Sequence, residues 1–363
     1  MKKTFSILSL VASLFAAVPT QAAYQLLDLS AYLDASGNYA YSSSLNDNNA
    51  VAGMVIGLNP VYWTGSAAQS LATLGGSFGM AFGTNNASQT VGWSNLAGNT
   101  NWHATLWDSA GNATDLKGID ASRNSEAFAI NNAGNIVGWS FNNAGQDHAT
   151  LWSESKIIDL DENTGTAHSE AYGINANNQI VGRSTNGSWA SSTATLWNYD
   201  SSNNNVTATN LGPGEAYAIN DSGTIVGVSS NDFAVRWDGI TMSPLDSLGG
   251  LSSGANDINN AGLIVGNTQT SKGYRGVLWS GTTATDINSL LDSSLIDDWL
   301  ITDAFSINES GNILAYAEDA QGNEKTVLLF TASTAAVPES STSLMLLAGL
   351  GLIGFKRRFK QPA

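Results

Sequence analysis

The chain has 363 residues, of which only 12% are charged, with 14 Lys and Arg against 30 Asp and Glu and no cysteine. The length suits one large all-β domain or two ordinary ones. The absence of cysteine excludes disulfide staples and thiolate metal ligands, and the acidic balance sets aside nucleic acid as a partner.

Residues 1–23 read as a signal peptide, forming a terminal signal helix. Lys2 and Lys3 make a basic start, residues 5–18 are apolar, and "PTQAA" offers small residues for cleavage near Ala22 or Ala23. Next comes "YQLLDLS", residues 24–30, a single strand with no obvious partner nearby. From there to residue 331 no long helical period is present, so the body reads as all-β.

The body repeats itself. Aligned on the Asn of "IN", seven copies stand at Asn46, Asn85, Asn131, Asn175, Asn220, Asn259 and Asn308, spaced 39, 46, 44, 45, 39 and 49 residues apart. Such periods mean an array of supersecondary units. The third copy, "SEAFAINNAGNIVGWS", shows the parse. "AFAIN" is a strand, and "NAG" is a turn in which Gly134 supplies a positive φ. "NIVGWS" is a second strand, "HATLW" a third and "KIIDL" a fourth. Four strands per period of about 45 residues is the blade pattern of a β-propeller. The expected fold is a seven-bladed β-propeller of four-stranded blades over residues 24–331. A β-solenoid is the alternative. The last copy lacks a fourth strand, and residues 24–30 would supply it by pairing with the strand around residues 326–330, which removes an exposed edge.

Residues 332–342 form a linker. Residues 343–355 are apolar and are followed by Lys356, Arg357, Arg358 and Lys360. Thirteen helical residues span about 20 Å, against a hydrocarbon core of about 30 Å. The segment is short for a span, but the basic cluster behind it makes residues 343–363 read as a short C-terminal transmembrane helix with a basic cytoplasmic tail. With both ends removed, eight basic residues remain against thirty acidic ones.

Two stretches resemble known families. Val337, Pro338 and Glu339, followed by the apolar segment and basic end, resemble the PEP-CTERM sorting signal of Gram-negative bacteria, with Ser340 where that family has a second proline. The resemblance implies processing by an exosortase-type membrane protease. It also implies delivery to the cell surface or exopolysaccharide matrix, with transient anchoring in the inner membrane. The copies resemble the extracellular HAF-repeat family in "LGG" (residues 74–76 and 248–250), in Ala-x-x-Ile-Asn, and in "HATLW" at residues 103–107 and 148–152. That resemblance implies a repeat architecture in an exported protein and assigns no chemistry.

The candidate site residues follow from repeat register. Third-strand aromatics recur at Trp63, Trp107, Trp152, Trp197, Trp237, Trp279 and Phe330; they read either as sugar platforms or, more simply, as core between sheets. The Asn-rich turns read as capped turns rather than calcium loops, because carboxylates do not recur in them. Glu126, Glu170 and Glu215 share one position in three successive copies, and Asp303 takes it in the last; Tyr41, Met80 and Gly254 occupy it elsewhere. These carboxylates read as a solvated rim or as a weak Ca²⁺ site at one channel mouth, since no basic residue shares their position. No other cofactor is implied. His103 and His148 open third strands in adjacent copies and read as packing residues or as a metal pair. His168 reads as a loop residue. No catalytic residue is assigned, because nucleophile elbow, HExxH and phosphate loop are all missing. The expectation is a non-catalytic structural or ligand-binding surface protein with exopolysaccharide as a partner. The alternative is a polysaccharide-active hydrolase or lyase.

Overall fold

The computed structural model describes residues 23–30, 40–55, 60–65, 68–162 and 165–331. The expected signal peptide up to residue 22, the linker 332–342 with Val337, Pro338 and Glu339, and the segment 343–363 lie outside the described residues. Strands dominate. From residue 40 to 331 the helical elements among the described residues are two 3₁₀ turns, Trp189–Ser191 and Ile287–Leu290. Among the described residues no helix is long and apolar enough to cross a membrane.

The repeat unit is an antiparallel four-stranded meander, as the period implied. Ser125–Ile130, Ile136–Phe141, Asp147–Ser153 and Lys156–Asp159 pair in chain order. Among the described residues, five sheets have four strands and one has seven. The larger sheet contains a long strand, Asn205–Ile219, that pairs with Thr193–Asp200 through residues 205–213 and with Thr224–Ser229 through residues 214–219. It thus ends one unit and opens the next.

First strands of successive units touch one another, and the first strand of the first unit touches that of the last. Each first strand carries a bulge; the register shifts between Ala127 and Ala129, and between Ala171 and Gly173. The bulge explains the Gly of "IVG". A Cβ on Gly138 or Gly182 would lie 1.9 Å from the carbonyl oxygen of Glu126 or Glu170, so only glycine lets the bulged strand lie over its partner. The bulged residues stack along four neighbouring first strands: Phe82 on Phe128 at 5.4 Å, Phe128 on Tyr172 at 5.6 Å, and Tyr172 on Tyr217 at 5.9 Å.

The core lies between adjacent units. Trp63, Trp107, Trp152, Trp197, Trp237 and Trp279 are each no more than 5% exposed, which settles their role as packing. Several indoles also reach back to the exit of the preceding unit: Trp107 Nε1 donates to the Ala72 carbonyl at 2.6 Å and Trp152 Nε1 to that of Lys117 at 3.1 Å. The last unit departs from the expected series. Ile313 faces Leu329, so the fully buried Leu329 takes the Trp position, and Phe330 points the other way against Gln25.

The N-terminal strand does what its isolation suggested. Tyr24–Asp28 is the outermost strand of the last sheet, with Tyr24 opposite Thr331 and Asp28 opposite Val327. Tyr24 is 2% exposed, and its hydroxyl donates to the Gly311 carbonyl at 3.0 Å.

The seven asparagines of "IN" have a double role. Asn131 Oδ1 accepts from the backbone N–H groups of Ala133 and Asn135, closing its own turn. Its Nδ2 donates to the carbonyl of Asn175 in the next unit at 3.0 Å. The same bond runs from Asn46 to Asn85, Asn85 to Asn131, Asn175 to Asn220, Asn220 to Asn259 and Asn259 to Asn308. It then returns from Asn308 to Asn46 at 3.1 Å. Asp would lack the donor and Ala would lack both groups. The capped-turn expectation therefore holds for one half of each amide and misses the other.

Candidate functional site

In an antiparallel unit, the starts of the first and third strands and the end of the second lie together, opposite the asparagine turns. This end carries the acidic register position. Glu126 faces Trp139 across the ladder, Glu170 faces Arg183, Glu215 faces Val228 and Asp303 faces Tyr316.

Arg183 changes the reading of the carboxylates. Its Nη2 donates to Glu170 Oε2 at 2.8 Å and its Nη1 to Glu215 Oε1 at 2.8 Å. One guanidinium thus ties a carboxylate of its own unit to one of the next. The cation-site expectation rested on the absence of a basic residue at the acidic position. The basic partner stands one strand over, where repeat counting along a single strand does not look. Its guanidinium also lies 4.2 Å from the ring centre of Trp189 and 5.6 Å from that of Tyr172, a cation–π arrangement. The Tyr172 hydroxyl donates to Glu170, and the Tyr217 hydroxyl to Glu215 at 3.2 Å. Burial and the adjacent carboxylates push both phenols' pKa up, so they remain protonated donors.

The other two acids also accept from a preceding unit. Trp102 Nε1 donates to Glu126 Oε1 at 2.9 Å, and Asn256 and Asn267 Nδ2 both donate to Asp303 Oδ1 at 3.0 Å. Burial raises the pKa of Glu126, with the Glu170 charge adding to it against hydrogen bonds from Trp102 and Trp139. Burial likewise raises that of Asp303. Among the described residues no group of three or more His, Asp or Glu is placed to share a metal ion.

The histidines take separate partners. His103 Nδ1 lies 2.9 Å from Asp115 Oδ1, and His148 Nδ1 lies 2.9 Å from Asp159 Oδ2, each acid coming from the fourth strand of the same unit. They form two separate pairs, each a buried His on a partly exposed Asp, and not one set sharing a metal. Burial alone would lower the pKa of His148, but the Asp159 hydrogen bond and the charges of Asp159, Asp161 and Asp147 raise it. His168 is not in a loop: it opens the strand His168–Ile174 and pairs with Asp147 of the preceding unit.

The sequence reading passed over a second set of aromatics at this end. Trp93 and Trp139 sit at the same second-strand position as Arg183, directly after "VG". Trp93 packs on Trp102 with ring centres 5.9 Å apart, and Trp139 on Phe141 at 5.3 Å. All four, with Trp189, are half-buried. Their signal was the period-two alternation: in "VGW" the indole stands two residues past the buried Val, on the same face of the strand and nearer its open end. The far end differs. A polar well of about 280 Å³ opens there, lined by the asparagine ring and by Asp47, Asp221, Asp257 and Glu309.

Neither a protein-family model nor a curated protein matches the chain. Among solved structures it is similar to the β-propeller domain of the trilobed protease from Pyrococcus furiosus, which has an open velcro topology. The identity is 9% and the TM-score 0.52, over 80% of this chain and 93% of that one. An acylaminoacyl peptidase from Pyrococcus horikoshii is similar at 13% identity and a TM-score of 0.48, over 80% of this chain and 51% of that one. The first likeness shows the fold: the chain is an all-β protein of β-propeller architecture.

Proposed function

We propose that the chain is an exported seven-bladed β-propeller, closed by its N-terminal strand, that binds an extracellular ligand at the aromatic and acidic mouth without altering it chemically. The blade count rests on the seven amide bonds that return to their start and on the long strand that divides the larger sheet in two. The observation that carries the binding role is the cluster of half-buried Trp93, Trp102 and Trp139 around Glu126, at the end of the molecule opposite the amide ring. Aromatic platforms with a few fixed polar groups are what ligand sites are made of.

Placement at the cell surface or in the exopolysaccharide matrix follows from the resemblances at both ends. Because Tyr24 pairs with Thr331, both ends of the propeller leave from the amide side. A tail processed at Val337, Pro338 and Glu339, or held by residues 343–363, would direct the aromatic mouth away from the membrane. Retention on matrix polymer from the native host tests this reading. Wild type is expected to be retained, and a Trp93→Ala/Trp139→Ala variant with unchanged fold released. Equal retention of both would overturn it.

A second reading, a polysaccharide hydrolase, draws on Glu126 and Glu170. Burial raises the pKa of the first, and the second is held beside a guanidinium, the kind of division glycoside cleavage uses. Release of reducing ends by wild type but not by Glu126→Gln would favour it over simple binding.

A further inference from the structure

Given the proposed binding mouth, we infer that its ligand is an uncharged polysaccharide, whose sugar rings lie on the indoles of Trp93, Trp102 and Trp139 and whose hydroxyls donate to the neighbouring carboxylates. This inference rests on the binding role proposed above and adds the chemical class.

The charge of the mouth decides the class. Its guanidinium, Arg183, is committed on both sides, to Glu170 and to Glu215. Arg123, which lies 5.9 Å from the ring centre of Phe141, pairs with Asp120 at 3.0 Å. Three carboxylates against one committed cation leave a mouth of net negative charge. A polymer of uronates, sulfates or phosphates would meet like charge there and across a body, residues 24–331, with eight basic and twenty-nine acidic residues. Ionised carboxylates only accept hydrogen bonds. The ligand must therefore bring donors, and sugar hydroxyls are donors without charge.

Shape points the same way. The aromatics occur as two pairs on successive units, Trp93 with Trp102 and Trp139 with Phe141, and Trp93 and Trp139 share one second-strand position. Repeating platforms suit a repeating ligand. An indole offers an apolar face with one polar N–H, and a pyranose offers an apolar C–H face edged by hydroxyls. Trp102 already spends its N–H on Glu126 at 2.9 Å, which fixes the ring and leaves stacking as its remaining contribution.

Affinity electrophoresis through gels containing amylose, dextran, a soluble β-glucan or polygalacturonate tests the class, using wild type, Trp93→Leu and Trp139→Leu. Retardation by at least one neutral glucan is expected, persisting in high salt, with an apparent Kd at least about tenfold weaker in each variant, the factor that about 1.4 kcal/mol corresponds to. If neither variant folds, the wild-type tryptophan emission must still shift on titration with oligosaccharides of the retarding glucan. Retardation by polygalacturonate alone, lost in the variants, would overturn the neutral class while leaving the mouth as a binding site. No retardation in any gel would overturn the inference, and retention on native matrix would then decide the binding role separately. Retardation unchanged in both variants would overturn both.

Discussion

The asparagine of each repeat shows how much one side chain can do when both ends of an amide are used. Oδ1 replaces two missing backbone acceptors in its own turn, and Nδ2 holds the next unit. Asn175→Asp keeps the first function and sets a carboxylate against the Asn220 carbonyl. It is expected to cost about 1–3 kcal/mol in urea unfolding, the scale of a buried group left unsatisfied. Arg183→Met should behave differently. It leaves Glu170 and Glu215 without their shared cation, so the variant is expected to be destabilised at pH 7, which urea unfolding reads. Millimolar Ca²⁺ is expected to raise the melting temperature of this variant and not of wild type, which a thermal-shift titration reads directly. Asp257 gives a pH signature. Its carboxylate accepts from the Ile258 and Ile307 N–H groups and the Ser306 hydroxyl, yet burial pushes its pKa up to about 6. The folded state then holds this proton more tightly than the unfolded state. Stability from this group is full below its ordinary range near 4 and declines as pH rises to about 6. The difference in melting temperature between wild type and Asp257→Asn, measured across pH 4–7, should follow that decline. A flat difference would rule out Asp257 as its source.

At the scale of elements, the closing strand is the clearest case of a structure read from an omission. The last copy wrote three strands, the N-terminus wrote a spare one, and Tyr24–Asp28 pairs with Glu324–Thr331. Deleting residues 24–28 should expose the Glu324–Thr331 edge, lower the melting temperature and promote aggregation. A variant as stable and as monomeric as wild type would mean that the strand is dispensable. The misreadings have equally physical causes. Phe330 was chosen because aromatics mark the third strand elsewhere, but cross-strand register puts Leu329 opposite Ile313, and register is set by pairing, not by residue type. Arg183 was missed as the partner of two acids because it stands on the second strand, thirteen positions from Glu170 in sequence but directly opposite it in space. Trp93 and Trp139 were legible in the recurring "VGW" of the second strand but were overshadowed by the buried tryptophan series. The two His–Asp pairs required knowing that the fourth strand returns beside the third, which the four-strand parse already implied.

The whole molecule divides its two ends. One is stitched by amides that donate around the first strands; the other carries indoles, phenols and carboxylates fixed by cross-unit hydrogen bonds. Composition explains why the division was hard to see: Asn, Gly and Ser fill the turns throughout, and only register separates the ends. Hydrogen–deuterium exchange with and without native matrix polymer tests this division most directly. Protection is expected in the strands bearing Trp93, Trp102, Trp139 and Arg183, with the asparagine turns unchanged. Protection at the asparagine turns, with none around those tryptophans, would contradict the account.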